Sequence, residues 1–393
     1  MVRVFCFLFC FFMPLLSFAS SFDLKSENPQ DRILGIVYLS RFKNPSNVKR
    51  FCEILLEDKD EKVRKTAAEA LGYYPYSRDA KSCLLKSFKN DSSDTVRIAV
   101  LSALESFNEN EIGKLYCEVL KGAYPDNLKR EALRGLSKYT VCRKEIEKIL
   151  ETGNKSLLKN ALFTVSFRGE DFPEVEKYLQ SDDSSVRELA VKYYLTHRPS
   201  KEILKKLKGR LLIETEPLIK ATILEVLITN NAPIEKDTIL SVLSNEDVKK
   251  VFALRMPFIK NRELSKDVID SFLESDDPVV VSAALTYMGR SEDKSYCSIL
   301  KKFLFKNDSS LKKAAIWSMG NIGCEDGVDY ILSVISDLNN DDALRLSAAK
   351  NLLIFKPQVL KEKKEMIEAV YQNEILDDVK EVLSLVLKKA SQK

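Results

Sequence analysis

A phrase close to Asp60-Glu61-Lys62-Val63-Arg64-Lys65-Thr66-Ala67-Ala68-Glu69-Ala70-Leu71-Gly72 recurs through almost the whole chain at intervals of 29 to 35 residues. Its copies are anchored at Val63, Val96, Leu128, Leu157, Val186, Ile219, Val248, Val280, Leu311, Leu344 and Val379. The ten intervals span 316 residues, a mean of about 31.6, which is the period of a two-helix repeat array. A chain of this kind buries apolar surface between successive repeats rather than in one central core. The feature therefore constrains the fold before any single residue is considered, and it turns the functional question from catalysis towards binding.

The interior of the phrase explains how a repeat works. With the anchor as position 0, position +1 is basic in nine of eleven copies, Arg64, Arg97, Arg187 and Arg345 among them. Position +4 is alanine in seven copies, and position +8 is apolar throughout. Positions 0, +4 and +8 share one helical face, and alanine in its middle lets a neighbouring helix approach closely. Acidic residues just upstream, such as Asp60, Asp183 and Asp308, are placed to cap free N–H groups at the positive end of the helix dipole. Each phrase is thus the second helix of a hairpin, and the first helix lies in the apolar stretch before it, for example Val48 to Leu56 or Val328 to Ile335. An opening copy at residues 31–39 has no first helix and reads as an N-terminal cap; a helix over 375–390 closes the array. Glycine and proline, 12 each, are scarce, as a chain made of helices requires.

These residues carry a resemblance. The acidic start, the Val-Arg pair, the alanines and the Leu-Gly ending resemble the bacterial HEAT-repeat family, including the short HEAT-like repeats of the phycobilisome-lyase type, over roughly residues 22–390. The resemblance implies an all-α, right-handed α-solenoid, an armadillo-like superhelix of about eleven two-helix repeats plus an N-terminal capping helix. It also implies a structural ladder, in which the arginine row (Arg64, Arg97, Arg187, Arg345) pairs with the acidic row (Asp60, Asp183, Asp308) between neighbouring repeats. The basic residue is missing at Leu158 and Val281, where the ladder should break.

The first residues stand apart. Met1-Val2-Arg3 is a short basic start, residues 4–16 are apolar apart from two cysteines, and Ser17-Phe18-Ala19 offers small residues at a signal peptidase site. The expected organisation is a signal peptide over 1–19 and a repeat domain over 20–393. The mature chain would be exported, with the bacterial periplasm preferred over full secretion and no transmembrane segment after cleavage. Without Arg3 the formal charge falls from +4 to +3, too balanced for a nucleic-acid binder. Cys52, Cys83, Cys117 and Cys297 fall at similar places in their first helices. Equivalent residues of stacked repeats lie about one helix diameter apart, roughly 10 Å, beyond the reach of a disulfide. They read as small buried hydrophobes, with Cys142 and Cys324 unassigned.

Catalytic chemistry finds little support. Some relatives of the resembled family bind iron through paired His-Glu motifs, but this chain has a single histidine, His197. One imidazole does not furnish that site or the usual zinc sets, and a histidine-based triad would have to use the same residue. The expectation is no enzyme, no cofactor and no metal, with a lyase- or hydroxylase-like activity as a remote alternative.

A binding surface is more legible. Positions +2 and +6 of each second helix face away from the packed side, and in HEAT-like arrays the second helices usually line the concave surface. Most +6 residues are polar, but Phe163, Leu254 and Trp317 are not; one turn further, Phe167 and Phe258 extend the first two. The expectation is that Phe163, Phe167, Leu254, Phe258 and Trp317 contribute to a stripe that binds another protein or peptide. The alternative uses the basic face Lys201, Lys205, Lys208 and Arg210 for peripheral contact with anionic lipid or cell-wall polymer.

Overall fold

The computed structural model describes residues 23–259, 264–291, 293–324 and 326–392, so the expected signal segment 1–19 lies outside the described residues. The chain forms two compact units that part between His197 and Arg198. Among the described residues the regular elements are all helical. They pair as the repeat demands, and among the described residues no helix is long and apolar enough to cross a membrane.

In the first unit, helix Pro29–Ser40 stands alone at the head of the array and packs on Glu61–Leu71, the second helix of the first hairpin. Second helices Asp94–Leu104, Asp126–Leu136, Leu158–Val165 and Ser184–Tyr193 continue the row, each packed on the one before. First helices Asn47–Glu57, Arg78–Asn90, Asn110–Lys121 and Arg143–Thr152 flank them. The fifth first helix is a 3₁₀ segment, Pro173–Gln180. Its buried Val175 and Tyr178 are three residues apart, a spacing that eclipses on a three-residue turn.

The second unit repeats the scheme six times. Its second helices are Pro217–Thr229, Glu246–Arg255, Pro278–Arg290, Ser309–Ile322, Asp342–Leu352 and Asp377–Ala390. The last first helix is broken into Pro357–Glu362 and Lys364–Asn373, both packed on Asp377–Ala390.

The spacing read from the sequence is the spacing of the core. Val63, Ala67 and Leu71 are all completely buried, and so are Leu128, Ala132 and Leu136. Every +4 alanine (Ala67, Ala132, Ala161, Ala190, Ala284, Ala315, Ala348) has no solvent exposure at all. Helix Pro278–Arg290 comes so near Ser309–Ile322 that a Cβ on Gly289 would stand 2.7 Å from the Ser318 Cα. Neighbouring repeats pack at backbone distance there, and only glycine fits.

The cysteine expectation is overturned. Cys117 is bonded to Cys142 and Cys297 to Cys324, with Cα–Cα distances of 5.4 and 5.8 Å. The argument considered only repeat-equivalent positions, and neither bridge joins such positions. Each runs from a first helix to the turn that follows the hairpin, where the chain bends back within reach. Cys142 sits in that turn with φ +69°, and Cys324 follows Gly323 at φ +71°. The equivalent pair Cys52 and Cys83 is unbridged, and the Cys52 thiol donates to the Asp79 carbonyl at 3.8 Å.

Candidate interaction surfaces

The five apolar residues expected on the outward side of the second helices belong to both units. In the first, Phe163 and Phe167 lie one turn apart at the end of Leu158–Val165 with ring centroids 4.8 Å apart, 40% and 63% exposed. In the second, Leu254 and Phe258 are 56% and 65% exposed, while Trp317 is half-buried. Its cover is Arg290, a residue the sequence reading passed over. The Arg290 guanidinium lies 4.9 Å from the Phe258 centroid and 5.9 Å from that of Trp317, and donates to the Pro257 carbonyl at 3.0 Å. Phe258, Arg290 and Trp317 thus form one cation–π cluster across three successive repeats. The signal was present in principle, since Arg290 occupies the same +10 position as Phe167 and Phe258.

The ladder exists with a different acidic row. Arg64 reaches Asp91, not Asp60, through Nε–Oδ2 and Nη2–Oδ1 contacts of 2.7 and 3.1 Å. Arg32 pairs with Asp58 in the same way, and Arg345 with Glu374 at 2.7 Å. The acid stands five residues before the next anchor, at the end of the next first helix, and the arginine also donates to carbonyls just before its own helix, as Arg64 does to Asp58. Asp60, Asp183 and Asp308 are occupied otherwise: each accepts two backbone N–H groups at the start of its own helix. Arg187 likewise donates to the Ser181 and Asp182 carbonyls. Arg97 shows what a missing acid does. The corresponding position is Ala123, and among the described residues Arg97 pairs with Asp94 alone, at 3.4 Å, and its buried Nε has no hydrogen-bond partner.

The four cations of the basic face divide. Arg210 pairs at 2.9 Å with the fully buried carboxylate of Glu214, which also accepts from the Thr215 and Glu216 backbone. Lys208 pairs with Glu235 at 3.0 Å. Lys201 and Lys205 form no ion pair among the described residues, and with Arg198 they line a cleft beside the turn 230–233.

His197 is structural in its contacts. Its ring stacks on Tyr193 at 3.9 Å, its Nε2 donates to the Arg168 carbonyl at 2.7 Å, and its Nδ1 lies 3.1 Å from the Tyr193 carbonyl. Cys117, Cys142 and Glu145 come close enough together to suggest a metal site, but the two sulfurs are bonded to each other and offer no thiolate.

Comparison with known proteins agrees with this geometry at the level of the repeat. The family described as HEAT repeats matches residues 22–105. Among curated proteins, nothing matches the chain. Among solved structures, importin beta crystallised with ammonium sulfate aligns at a TM-score of 0.43 and 14% identity, over 95% of this chain and 57% of that one. Yeast importin-beta (Kap95p) aligns at 0.47 and 12%, over 96% and 56%. An engineered protein aligns at 0.31 and 16%, over 94% and 97%. The chain spans little more than half the length of the importins, and at such scores the likeness says nothing of what it binds. Helical hairpins with buried alanine faces and arginine–carboxylate rungs make the chain an α-solenoid whose opening segment, residues 22–105, matches HEAT repeats.

Proposed function

We propose that the chain is an exported, non-catalytic scaffold that holds another protein or peptide against its second helices. The observation that carries this reading is the exposure of Phe163, Phe167, Leu254 and Phe258 on helices whose opposite faces are fully buried. Large apolar side chains cost free energy when left in water, roughly 25 cal/mol per Å², and grouped exposure of this kind marks interaction sites. Export is supported by the basic start, the apolar run to Leu16 and the small residues Ser17 and Ala19, and by two disulfides of the kind that persist in oxidising compartments. The periplasm is the compartment that best suits this combination.

The alternative, adhesion to anionic lipid or cell-wall polymer through the face of helix Lys201–Ile213, keeps Lys201 and Lys205 but finds Lys208 and Arg210 engaged in internal pairs. Affinity capture from cell-envelope extract separates the two readings. The chain is compared with a Phe167→Ser/Leu254→Ser/Phe258→Ser variant of unchanged helicity, at low and raised salt. A partner retained at raised salt by the first and lost by the second supports the scaffold. Equal capture by both, or release of all material by salt, overturns it.

A further inference from the structure

The cleft beside helix Lys201–Ile213 has a volume of about 640 Å³, the size of a small-molecule site. Four of its ten lining residues are cations and none is acidic. One wall is a single stripe of the helix, with Lys201, Lys205 and Lys208 on successive turns. The facing wall is the turn that ends helix Pro217–Thr229. There Asn231 adopts φ +61°, and the Ala232 N–H returns to the Leu227 carbonyl at 2.9 Å, a closed helix ending. Lys208 fastens the two walls, donating to the Pro233 carbonyl at 3.1 Å while it pairs with Glu235.

The charges are unequal in use. Lys208 is consumed by that clamp, and the carboxylate of Glu202 is held below its usual range chiefly by the backbone and Ser200 at the helix start, with a smaller attraction from Lys201. Arg198, Lys201 and Lys205 are left without an ion pair among the described residues. Two ammonium groups one turn apart and a guanidinium line the cleft, and Pro199, Leu204 and Ala232 add an apolar lining. A dianionic head with several acceptor oxygens on a carbon skeleton fits that arrangement.

We propose that this cleft binds an organic phosphate ester, its phosphate among Arg198, Lys201 and Lys205 and its carbon skeleton against the apolar lining. The inference stands apart from the protein-binding surface, since none of those apolar residues lines the cleft.

The test is titration calorimetry on the full chain with fructose 1,6-bisphosphate, with unphosphorylated fructose beside it, and flotation with phosphatidylglycerol vesicles as a separate arm. The variant is Lys201→Gln/Lys205→Gln, and Lys356→Gln/Lys361→Gln removes the same charge from exposed positions elsewhere in the same unit. Saturable binding of the bisphosphate but not of fructose, weakened about tenfold or more only in the cleft variant, assigns a soluble ester. Vesicle binding with the same dependence on Lys201 and Lys205 assigns a lipid headgroup. No binding in either arm, or equal loss in both variants, overturns the proposal.

Discussion

Arg64 and Asp91 lie 27 residues apart yet make the bidentate contact that joins the first two full repeats, and the same Asp91 carboxylate accepts the Ser93 backbone N–H at 2.9 Å. One carboxylate therefore serves two tasks: it receives the arginine of the previous second helix and fixes the entry of its own. Asp58 does this with Arg32 and the Asp60 N–H, and Glu374 with Arg345 and the Ile375 and Leu376 N–H groups. The rung is a joint between repeats, not a surface ion pair.

The Arg345–Glu374 rung is deeply buried, with side chains 3% and 1% exposed. Exposed ion pairs contribute about 0–1 kcal/mol, but removing one partner of a buried pair strands the other charge and costs about 3–5 kcal/mol. Arg345→Met is expected to lower stability in urea by that amount, in a transition assigned to the second unit. Arg345→Met/Glu374→Leu should recover much of the loss. A double variant no more stable than the single one would show that the stranded charge is not the cause.

Gly289 gives a steric prediction. A Cβ there would meet Ser318 backbone, which cannot rotate away as a long side chain could. Gly289→Ala is expected to lose about 1–3 kcal/mol despite the higher helix propensity of alanine. Gly209→Ala, on a helix with open space around the glycine, should be neutral or slightly stabilising. Thermal melts of the two variants check the pair.

The bridges give a prediction in thiol chemistry. Peptide mapping of unreduced protein is expected to show Cys117 linked to Cys142 and Cys297 to Cys324, with Cys52 and Cys83 alkylated only as free thiols. The hydrogen bond with Cys52, then burial, pushes the Cys83 thiol far up. In the folded chain at pH 8, Cys83 should therefore react much more slowly with iodoacetamide than Cys52. Cys142→Ser should cost about 3 kcal/mol for a loop of this size. Faster labelling at Cys83, or cross-linked peptides joining Cys52 and Cys83, would contradict this assignment.

Much of this architecture was legible because the repeat prints its core eleven times. The period, the alanine positions and the hairpin pairing all come from one periodic pattern, and burial follows it at ten of the eleven anchors, Leu311 alone being half-buried. What was not legible depends on turns. The ladder's acid was sought at Asp60 because that residue precedes the helix, but N-caps and rungs are separate jobs, separated by two residues in a loop that sequence spacing does not shape. The disulfides were missed for the same reason, since Cys142 and Cys324 lie in turns outside the helical period. Arg290 escaped because a cation among aromatic rings reads in sequence as an ordinary charged helix end.

The helix-starting carboxylates supply the last prediction, a pH dependence. Asp183 is lowered chiefly by its hydrogen bond with Lys159, Asp277 by Lys250, Asp308 by the Ser310 hydroxyl and Asp341 by that of Ser309. In each case the folded value lies below the unfolded one, so the unfolded chain binds more protons as acid is added. Their contribution is fully present above the unfolded carboxylate range, about pH 4, and is lost as pH falls through the lower folded values. The melting temperature should thus be flat from pH 7 to 5 and decline steadily below pH 4. Asp308→Asn keeps a side-chain oxygen for the Ser310 and Leu311 N–H groups but cannot titrate. It should melt close to the parent at pH 3 and lower than the parent at pH 7. An equal difference at both pH values would remove Asp308 from the acid-sensitive set.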